Sequence, residues 1–385
     1  TAAQAMVRWL SVQMTEDGNR FIEGVWAIFG HGNVVGLGEA LYAHREVLPT
    51  WRGHNEQTMA HAAIAYAKAQ KRRRAMAVTT SIGPGALNVV TAAGVAFANR
   101  LPMLIIPGDV FANRAPDPVL QQLEVFNDGT VSANDCFKPV SRYFDRILRP
   151  EQIMTALPRA LRVMTDPADC GPVTLAFCQD VQAEAYDYPA SFFTPKVWKI
   201  RRPEADADEL AEAIAAIKAA KNPVIVAGGG VIYSGAEAAL AAFASTHVIP
   251  VVETQAGKSS LAFDHPLNFG PVGVTGAASA NAVCEAADLV IGVGTRFQDF
   301  TTGSWSLFKN PERRILSINV AAYDAYKHGA LNLVSDARTA LSAISKALHN
   351  RIWPKPLWLQ DDWAAVTAGV KAAPKAAGLP TDMQV

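Results

Sequence analysis

Short apolar runs alternate with longer alanine-rich segments along most of the chain. Each run is four to eight residues long and ends at Gly, Pro or a polar cluster, which is typical of strands buried on both faces of a parallel sheet. The predicted strands are residues 25–29, 75–80, 103–107, 173–177, 224–227, 248–253, 289–293 and 314–319. The predicted helices are residues 55–69, 85–98, 150–164, 206–220 and 235–245. This alternation predicts an α/β fold with doubly wound parallel sheets.

One irregular stretch divides the chain into two domains. A length of 385 residues, half of them hydrophobic, allows two or three domains. Residues 186–203 (YDYPASFFTPKVWKIRRP) carry three prolines and several aromatic residues, without helical or strand periodicity. We therefore predict a first domain over 1–185, a linker over 186–203, a second domain over 204–348 and a further linker over 349–385.

The composition argues against several classes of protein. Lys and Arg (35) balance Asp and Glu (35), and a chain without net positive charge is not expected to have a nucleic-acid partner. The four Cys residues have neither C-x-x-C nor zinc-ligand spacing, which suits a reducing cytoplasm. No apolar stretch has the length of a membrane span, so no membrane partner is expected either.

Three segments of the first domain are candidates for ligand binding. Gly30 and Gly32 flank His31 after the first predicted strand, Glu56 begins a helix, and residues 80–85 (TSIGPG) join a strand to a helix. Glycine allows a ligand to approach the backbone closely, and the free N–H groups of a helix N-terminus suit a polar ligand. Each feature also has a purely structural explanation: a helix-terminal charge, a rigid turn, or a hydrogen-bonding histidine.

Other familiar motifs are incomplete. The glycines at 228–230 follow a predicted strand, but the third glycine of G-x-G-x-x-G would fall on Tyr233. The Gly257-Lys258-Ser259 triplet would end a phosphate-binding loop whose first glycine would fall on Val252. Neither G-x-S-x-G nor H-E-x-x-H occurs, so serine hydrolases and zinc proteases have no motif support.

The three candidate segments together resemble the pyrimidine-binding domain of thiamine-diphosphate enzymes of the acetolactate synthase type. That family has an F-G-x-x-G turn, then H-E-Q-x-x-x-H-A-A, then T-S-x-G-P-G, and Asn55 departs from the second motif. Further motifs resemble the branch that hydrolyses a trihydroxycyclohexane-1,2-dione in inositol catabolism. These motifs are residues 29–38 (FGHGNVVGLG), 107–111 (PGDVF), 116–122 (PDPVLQQ), 179–186 (QDVQAEAY), 253–258 (ETQAGK), 291–302 (IGVGTRFQDFTT) and 318–327 (INVAAYDAYK).

The resemblance implies a pyrimidine-binding domain and a central domain of an enzyme that uses thiamine diphosphate and Mg²⁺. The expected reaction opens a cyclic, polyol-derived 1,2-dione to 5-deoxy-glucuronate by hydrolysis of a C–C bond. The implied catalytic residues are Glu56 and His31. The residues implied to contact the cofactor are Gly30, Glu56, Gly83, Gly85 and Asn88. The residues implied to line the substrate side are Asn33 and Gln122. No metal ligand is implied in this chain.

The chain also departs from the family pattern. In the family a diphosphate-binding domain carries Gly-Asp-Gly, which helps to hold the magnesium ion, and this sequence has no Gly-Asp-Gly. We therefore expect that domain to be missing and this chain to be catalytically incomplete on its own. The family also shares its active site between two chains, which implies a homodimer or homotetramer.

Two other functions stay open. One is a carboligase of the acetolactate synthase kind, and the other is a non-catalytic fragment or assembly subunit. The second domain resembles the central domain that binds FAD in acetolactate synthase. The dione-hydrolysing branch does not imply a flavin, so we expect no FAD and interpret the glycines at 228–230 as turn and packing residues.

Overall fold

The computed structural model describes residues 1–116 and 118–354. The chain forms two compact units, one over residues 1–201 and one from residue 202 onward. Most of the linker predicted over 349–385 lies outside the described residues. Within the described parts, none of the helices combines the length and the apolar character that a membrane crossing requires.

The first unit is built on a parallel sheet with helices packed against it. Its strands are β1 (Gln13–Thr15), β2 (Ile22–Ala27), β3 (Thr50–Arg52), β4 (Ala75–Thr80), β5 (Met103–Asp109), β6 (Tyr143–Ile147), β7 (Pro172–Cys178) and β8 (Lys196–Trp198). Its α-helices are α1 (Ala2–Ser11), α2 (Glu39–Ala43), α3 (Glu56–Ala69), α4 (Pro84–Leu87), α5 (Val90–Asn99), α6 (Ile153–Met164) and α7 (Gln179–Ala183). Shorter turns of 3₁₀-helix occupy Ala133–Val140, Pro150–Gln152 and Ala190–Phe193, and a π-helical turn occupies Val34–Gly38.

Six of these strands form one sheet in the order β3-β2-β4-β5-β7-β6, and β1 pairs with β8 separately. The chain leaves β2 toward β3 on one side and returns to β4 on the other side. The loops after β2 and β4 therefore diverge at the carboxyl edge of the sheet, which is where doubly wound folds bind ligands. This crevice contains two of the three candidate segments.

The second unit repeats the parallel architecture with a different strand order. Its strands are β9 (Pro223–Ala227), β10 (Val251–Glu253), β11 (Asn268–Pro271), β12 (Leu289–Val293), β13 (Arg314–Asn319) and β14 (Leu331–Val334). Its α-helices are α8 (Ala207–Ala219), α9 (Gly229–Ser234), α10 (Glu237–His247), α11 (Ala278–Ala286), α12 (Asp299–Thr302), α13 (Ala322–Ala325) and α14 (Ala337–Leu348). Two 3₁₀ turns cover Gln255–Gly257 and Lys327–Gly329. The order β11-β10-β9-β12-β13-β14 places the first strand of the unit at the centre, as in dinucleotide-binding folds.

The predicted fold class is confirmed, because both six-stranded sheets are parallel and carry helices. Several predicted elements differ in extent from the observed ones; the strand predicted over 25–29, for example, is Ile22–Ala27. The helix predicted over 85–98 is two helices, α4 and α5, separated by Asn88 and Val89. The strand predicted over 248–253 begins only at Val251, because Val248 ends α10 with φ +56° and Pro250 has no N–H to donate.

Residues 186–201 of the predicted linker pack onto the first unit. Tyr188, Phe192 and Phe193 contact its hydrophobic core, and the Trp198 indole N–H donates a hydrogen bond to Gln13 Oε1 at 2.9 Å. In the second unit the hydrophobic core extends past the predicted boundary at 348 and includes Trp353. The aromatic residues that interrupt helical and strand periodicity are therefore core residues of the two units.

Candidate active site

The turn over residues 81–85 contacts both the loop after β2 and the start of α3. The Ile82 N–H donates a hydrogen bond to the carbonyl oxygen of His31 at 2.8 Å. A Cβ on Gly30 would lie 3.0 Å from Ser81 Cβ, so the loop after β2 packs directly on this turn. The turn is therefore the element that brings the sequence-predicted residues together.

Glu56 is the first residue of α3, and its carboxylate faces the turn. Asn55 caps the helix, because its Oδ1 accepts a hydrogen bond from the Thr58 N–H at 3.0 Å. The Asn88 side-chain amide donates a hydrogen bond to Glu56 Oε2 at 2.8 Å. A Cβ on Gly85 would lie 3.2 Å from Glu56 Oε1, so the other carboxylate oxygen lies against this glycine. Glu56 is half-buried, which places an oriented carboxylate within reach of a ligand.

Two glycines allow the backbones around the crevice to approach each other. Gly83 has a left-handed φ of +66°, and a Cβ there would overlap the carbonyl oxygen of Gln121. Gly32 has a φ of +92°, and a Cβ there would lie 3.1 Å from Ile82 Cβ and 3.3 Å from Gly108 Cα. The turn thus touches the loop after β5 as well as the loop after β2.

Asn33 faces into the protein. Its Oδ1 accepts a hydrogen bond from the Gly30 N–H at 2.9 Å, and its Nδ2 donates to the Ile28 carbonyl at 3.0 Å and to Thr79 Oγ1 at 3.2 Å. Only 2% of Asn33 is exposed, so its amide holds the shape of the loop. The predicted contact between Asn33 and substrate has no support from this geometry and stays a prediction. His31, by contrast, is exposed on the same loop.

A buried ion pair anchors the end of β5, where the loop after β5 begins. Arg146 donates to Asp109 Oδ2 and to Asp135 Oδ1, both at 2.7 Å, and to Ser132 Oγ at 2.9 Å. Burial alone would lower the pKa of Arg146, but Asp109 and Asp135 outweigh burial and raise that pKa. Burial alone would raise the pKa of Asp135, but hydrogen bonds from Ser132 N and Arg146 hold it below its ordinary value.

The structure therefore brings most of the predicted site residues to one crevice. Glu56, Gly85 and Asn88 are in direct contact, while Gly30 and His31 reach the turn through their backbones. Gln122 is half-buried and adjacent to Gln121, whose carbonyl oxygen lies against Gly83. Asn33 is the exception, because its side chain points away from the crevice into the loop interior.

Three residues that support the crevice escaped the sequence analysis as site residues: Ser81, Asp180 and Gln182. Asp180 and Gln182 lie on α7, directly after β7, and bond to the loops after β5 and β2 respectively. In the sequence, residues 179–186 were notable only as one of the motifs that resemble the family. Their position at the carboxyl end of a predicted strand was the signal that could have found them.

The glycines after β9 pack against the loop after β12. The Gly230 N–H donates to the Gly294 carbonyl at 3.0 Å, and a Cβ on Gly230 would lie 2.6 Å from Gly294 Cα. A Cβ on Gly228 would lie 2.7 Å from the Gly294 carbonyl carbon. These contacts explain the glycines as close backbone packing, without invoking a ligand. Among the residues that the structure describes, no group of three or more His, Cys, Asp and Glu could hold a metal ion.

Comparison with known families agrees with this architecture. Residues 22–128 match the N-terminal TPP binding domain of thiamine pyrophosphate enzymes. Residues 210–344 match the central domain of the same enzymes. The two matches fall one in each compact unit, and the first includes Glu56 and the turn beside it.

Curated relatives extend the match to most of the chain. It is 51% identical over 355 residues to a 3D-(3,5/4)-trihydroxycyclohexane-1,2-dione hydrolase of Geobacillus thermodenitrificans. The alignment covers 91% of this chain and 55% of the relative. Similar proteins with the same name occur in Bacillus cereus (51% identity) and Clostridium perfringens (50% identity), with the same coverage. The chain thus spans about half the length of these relatives. It belongs to the thiamine pyrophosphate enzyme family, of which it carries the N-terminal TPP-binding domain and the central domain.

Proposed function

We propose that this chain is the cofactor-activating part of a thiamine-diphosphate-dependent hydrolase that cleaves a C–C bond of a cyclic 1,2-dione. The observation that carries the proposal is the Glu56 carboxylate, oriented by Asn88 at the first residue of α3 and facing Gly85. The relatives that share half of its residues are named 3D-(3,5/4)-trihydroxycyclohexane-1,2-dione hydrolases, which supports the choice of substrate.

The crevice fits the pyrimidine end of the cofactor. Gly85 has no Cβ, which lets the turn lie directly against Glu56 Oε1. Asn88 engages one oxygen of Glu56, and the other oxygen is available to hydrogen-bond a ring nitrogen. When bound, thiamine diphosphate supplies a carbanion-stabilising centre for cleavage next to a carbonyl. Gly30, Gly83, Gly85 and Asn88 would frame the ring and Glu56 would orient it.

The chain's own residues would then move protons and hold the substrate. Glu56 would carry the proton that the pyrimidine ring gains and loses, because a carboxyl group can both donate and accept one. His31 is exposed on the loop that contacts the turn, and an imidazole there can exchange a proton with water or a hydroxyl group. Gln122 would contact the hydroxyl groups of the substrate, and Asn33 would keep the His31 loop in shape.

The overall reaction adds one water across the bond between the two carbonyl carbons. The hydroxyl group of water joins one carbonyl carbon, which leaves as a carboxylate after loss of a proton. The other carbon gains a proton and becomes an aldehyde. Because the substrate is a ring, the carboxylate and the aldehyde are the two ends of one opened chain, 5-deoxy-glucuronate. No oxidant or reductant is needed, because one carbonyl carbon is oxidised and the other is reduced.

The assembly and its setting belong to the same proposal. Mg²⁺ would bind with the diphosphate of the cofactor, because this ion prefers carboxylate and phosphate oxygens as ligands. We propose a homodimer or homotetramer, because family enzymes share the active site between chains. A cytoplasmic location is supported by the four cysteines, all of which are free thiols.

An isotope-labelled assay tests the proposal. The full-length protein is incubated with thiamine diphosphate, Mg²⁺ and the cyclic dione in H₂¹⁸O, with pyruvate as the alternative substrate. We expect one opened product that carries both an aldehyde and a carboxylate, with ¹⁸O from water in the carboxylate. Conversion of pyruvate to acetolactate without consumption of the dione would identify a carboligase instead. Turnover of neither substrate would favour a non-catalytic subunit.

A further inference from the structure

The short helix α7 contacts the two loops that carry the predicted substrate-side residues. It follows β7, which is adjacent to β5 in the sheet but separated from β2 by two intervening strands. Three strand spacings amount to about 14 Å, so β7 and β2 do not touch. A helix at the end of β7 that reaches the loop after β2 must therefore cross the carboxyl edge of the sheet.

Gln182 is the residue that holds the loop after β2. Its Nε2 donates to the Gly32 carbonyl at 2.5 Å and to the Phe177 carbonyl at 3.0 Å, while its Oε1 accepts from the Leu37 N–H at 3.0 Å. Only 1% of Gln182 is exposed, so these bonds are shielded from water. The amide thus spans the segment between Gly32 and Leu37, which begins next to His31.

The loop after β2 is itself adapted to Gln182. A Cβ on Gly36 would lie 2.8 Å from Gln182 Oε1 and would displace the amide. Gly32 adopts a φ of +92°, which only glycine adopts readily and which presents its carbonyl to Gln182. Gly32 and Gly36 therefore both allow the loop after β2 to contact the buried amide of Gln182.

Asp180 holds the other loop and lies two residues earlier on α7. Its Oδ1 accepts from the Ala112 N–H at 2.9 Å, and its Oδ2 accepts from the Asn113 N–H at 3.1 Å and from Asn113 Nδ2 at 2.8 Å. Asn113 Oδ1 accepts in turn from the Ala115 N–H at 2.7 Å. The carboxylate thereby fixes the start of the segment that leads to Gln122.

We propose that Gln182 and Asp180 are positioning residues, each of which sets the geometry of one substrate loop. Gln182 acts on the loop of His31, and Asp180 acts on the loop of Gln122. The two contacts share only the rigid α7, so either can be removed without the other. The part of this inference that concerns substrate rests on the proposed function; the part that concerns the loops does not.

Hydrogen–deuterium exchange tests the contacts without any cofactor or substrate. Gln182→Met keeps the length and removes the three hydrogen bonds, whereas Asp180→Ala removes the carboxylate. We expect faster exchange in peptides over 32–38 for the first variant and in peptides over 111–116 for the second, each about tenfold or more for the affected amides. Glu184→Gln, an exposed residue just after the same helix, should leave both loops unchanged. Unchanged exchange, or equal acceleration of both loops in each variant, would overturn the proposal.

Kinetics of the full-length protein separates positioning from general destabilisation. Neither residue contacts Glu56 or the 81–85 turn through its side chain, so the Kd of thiamine diphosphate should change less than twofold in both variants. We expect kcat for the dione to fall at least tenfold in Gln182→Met and KM to rise at least tenfold in Asp180→Ala. Equal losses of cofactor affinity and activity would indicate a structural role only.

The two proposals fail in different ways. If the wild-type protein does not turn over the dione but the loop-specific exchange pattern is observed, the proposed function is wrong and the contacts of α7 stand. If the wild-type protein is active and the variants match it in kcat and KM, the positioning role is wrong. Should Gln182→Met not fold because its site is buried, Asp180→Ala alone decides, since Asp180 is only half-buried.

Discussion

Glu56 begins α3, and the Asn88 side-chain amide orients its carboxylate. An acidic residue in the first turn stabilises a helix through the macrodipole, which would be its whole role if it met no ligand. The bond from Asn88 to one oxygen and the contact of the other oxygen with Gly85 give this carboxylate a defined direction. We propose this oriented carboxylate as the catalytic group, in addition to its role at the start of the helix.

Glu56→Gln should therefore abolish activity and leave the fold intact. The amide oxygen can still accept from Asn88, but the side chain can no longer carry a proton. We expect turnover of the full-length enzyme to fall about 10²-fold or more, with an unchanged midpoint of thermal unfolding. The control is Asp208→Asn, which removes an exposed acid from the first turn of α8. If Glu56→Gln turned over substrate like the wild type, the assignment of Glu56 would be lost.

Asp135 should make the first unit sensitive to acid. Its pKa is lower in the folded state than the ordinary 3.8, since the bonds from Ser132 and Arg146 outweigh burial. A depressed carboxyl pKa contributes stability above the ordinary value, and this contribution disappears as the pH falls through the folded value. Asp135→Asn should flatten the loss of unfolding free energy as the pH falls below the ordinary carboxyl value of 3.8, measured by urea titration. Asp187→Asn, at an exposed site, should retain the wild-type slope.

The residue scale also marks a limit of sequence reasoning. Spacing and resemblance were sufficient to select Glu56, Gly83, Gly85 and Asn88, which lie together. They could not show that the Asn33 side-chain amide is hydrogen-bonded inside the protein. No local sequence pattern identifies Ile28 and Thr79 as its partners. The direction of a side chain depends on tertiary contacts that a linear motif does not contain.

At the scale of elements, buried strands were easier to predict than edge strands. β4, β5 and β7 are buried along their whole length, and most of their residues are apolar. The edge strands β3 and β6 are shorter or more polar, and neither was predicted. An edge strand faces solvent and so carries a weaker pattern, which explains why each sheet was larger than expected.

The interrupted helix between α4 and α5 has a similar origin. Alanine-rich sequence over 85–98 favours one helix, but the backbone leaves helical pairing at Asn88, the residue that bonds to Glu56. Helix propensity depends only on the residues of the segment itself. It cannot include the bond between Asn88 and Glu56, which are 32 residues apart in the chain. The break coincides with the predicted site, where local rules are often overridden.

Glycine substitutions test the packing role of the loop after β12. Gly294 has a φ of +62°, and a Cβ there would lie 2.5 Å from Gly230 Cα. Gly329 has the same φ of +62° but open space around it. Gly329→Ala should cost about 1 kcal/mol from backbone strain alone, whereas Gly294→Ala should cost about 1–3 kcal/mol more from the overlap. Chemical denaturation of both variants measures the difference, and equal losses would contradict close packing at Gly294.

At the scale of the whole molecule, the chain forms two compact units, one over residues 1–201 and one from residue 202 onward. Each unit has its own parallel sheet and its own core, as the βα alternation predicts. The aromatic stretch after residue 185 nevertheless belongs to the first unit, and the tail after α14 contributes to the second. Segments without periodicity can still be buried, because aromatic side chains bury large areas from irregular backbone.

The second unit should consequently depend on Trp353, which lies beyond α14. The indole N–H donates to the Ala220 carbonyl at 2.9 Å, the Trp353 N–H donates to the His247 carbonyl at 3.1 Å, and only 5% of the residue is exposed. His247 also bonds the Arg351 carbonyl through Nδ1 at 2.8 Å, which fixes the same segment.

Trp353→Ala should lower the free energy of unfolding of the second unit by about 3–5 kcal/mol, the usual cost of removing a buried aromatic side chain. Urea denaturation followed by circular dichroism measures this change. The neighbouring Ile352 is 64% exposed, so Ile352→Ala should change stability by about 0.5 kcal/mol or less. A fragment over 202–354 should then unfold cooperatively, while one that ends at 349 should be less stable by a similar amount. Equal stability of the two fragments would show that the core ends with α14 and that Trp353 only covers it.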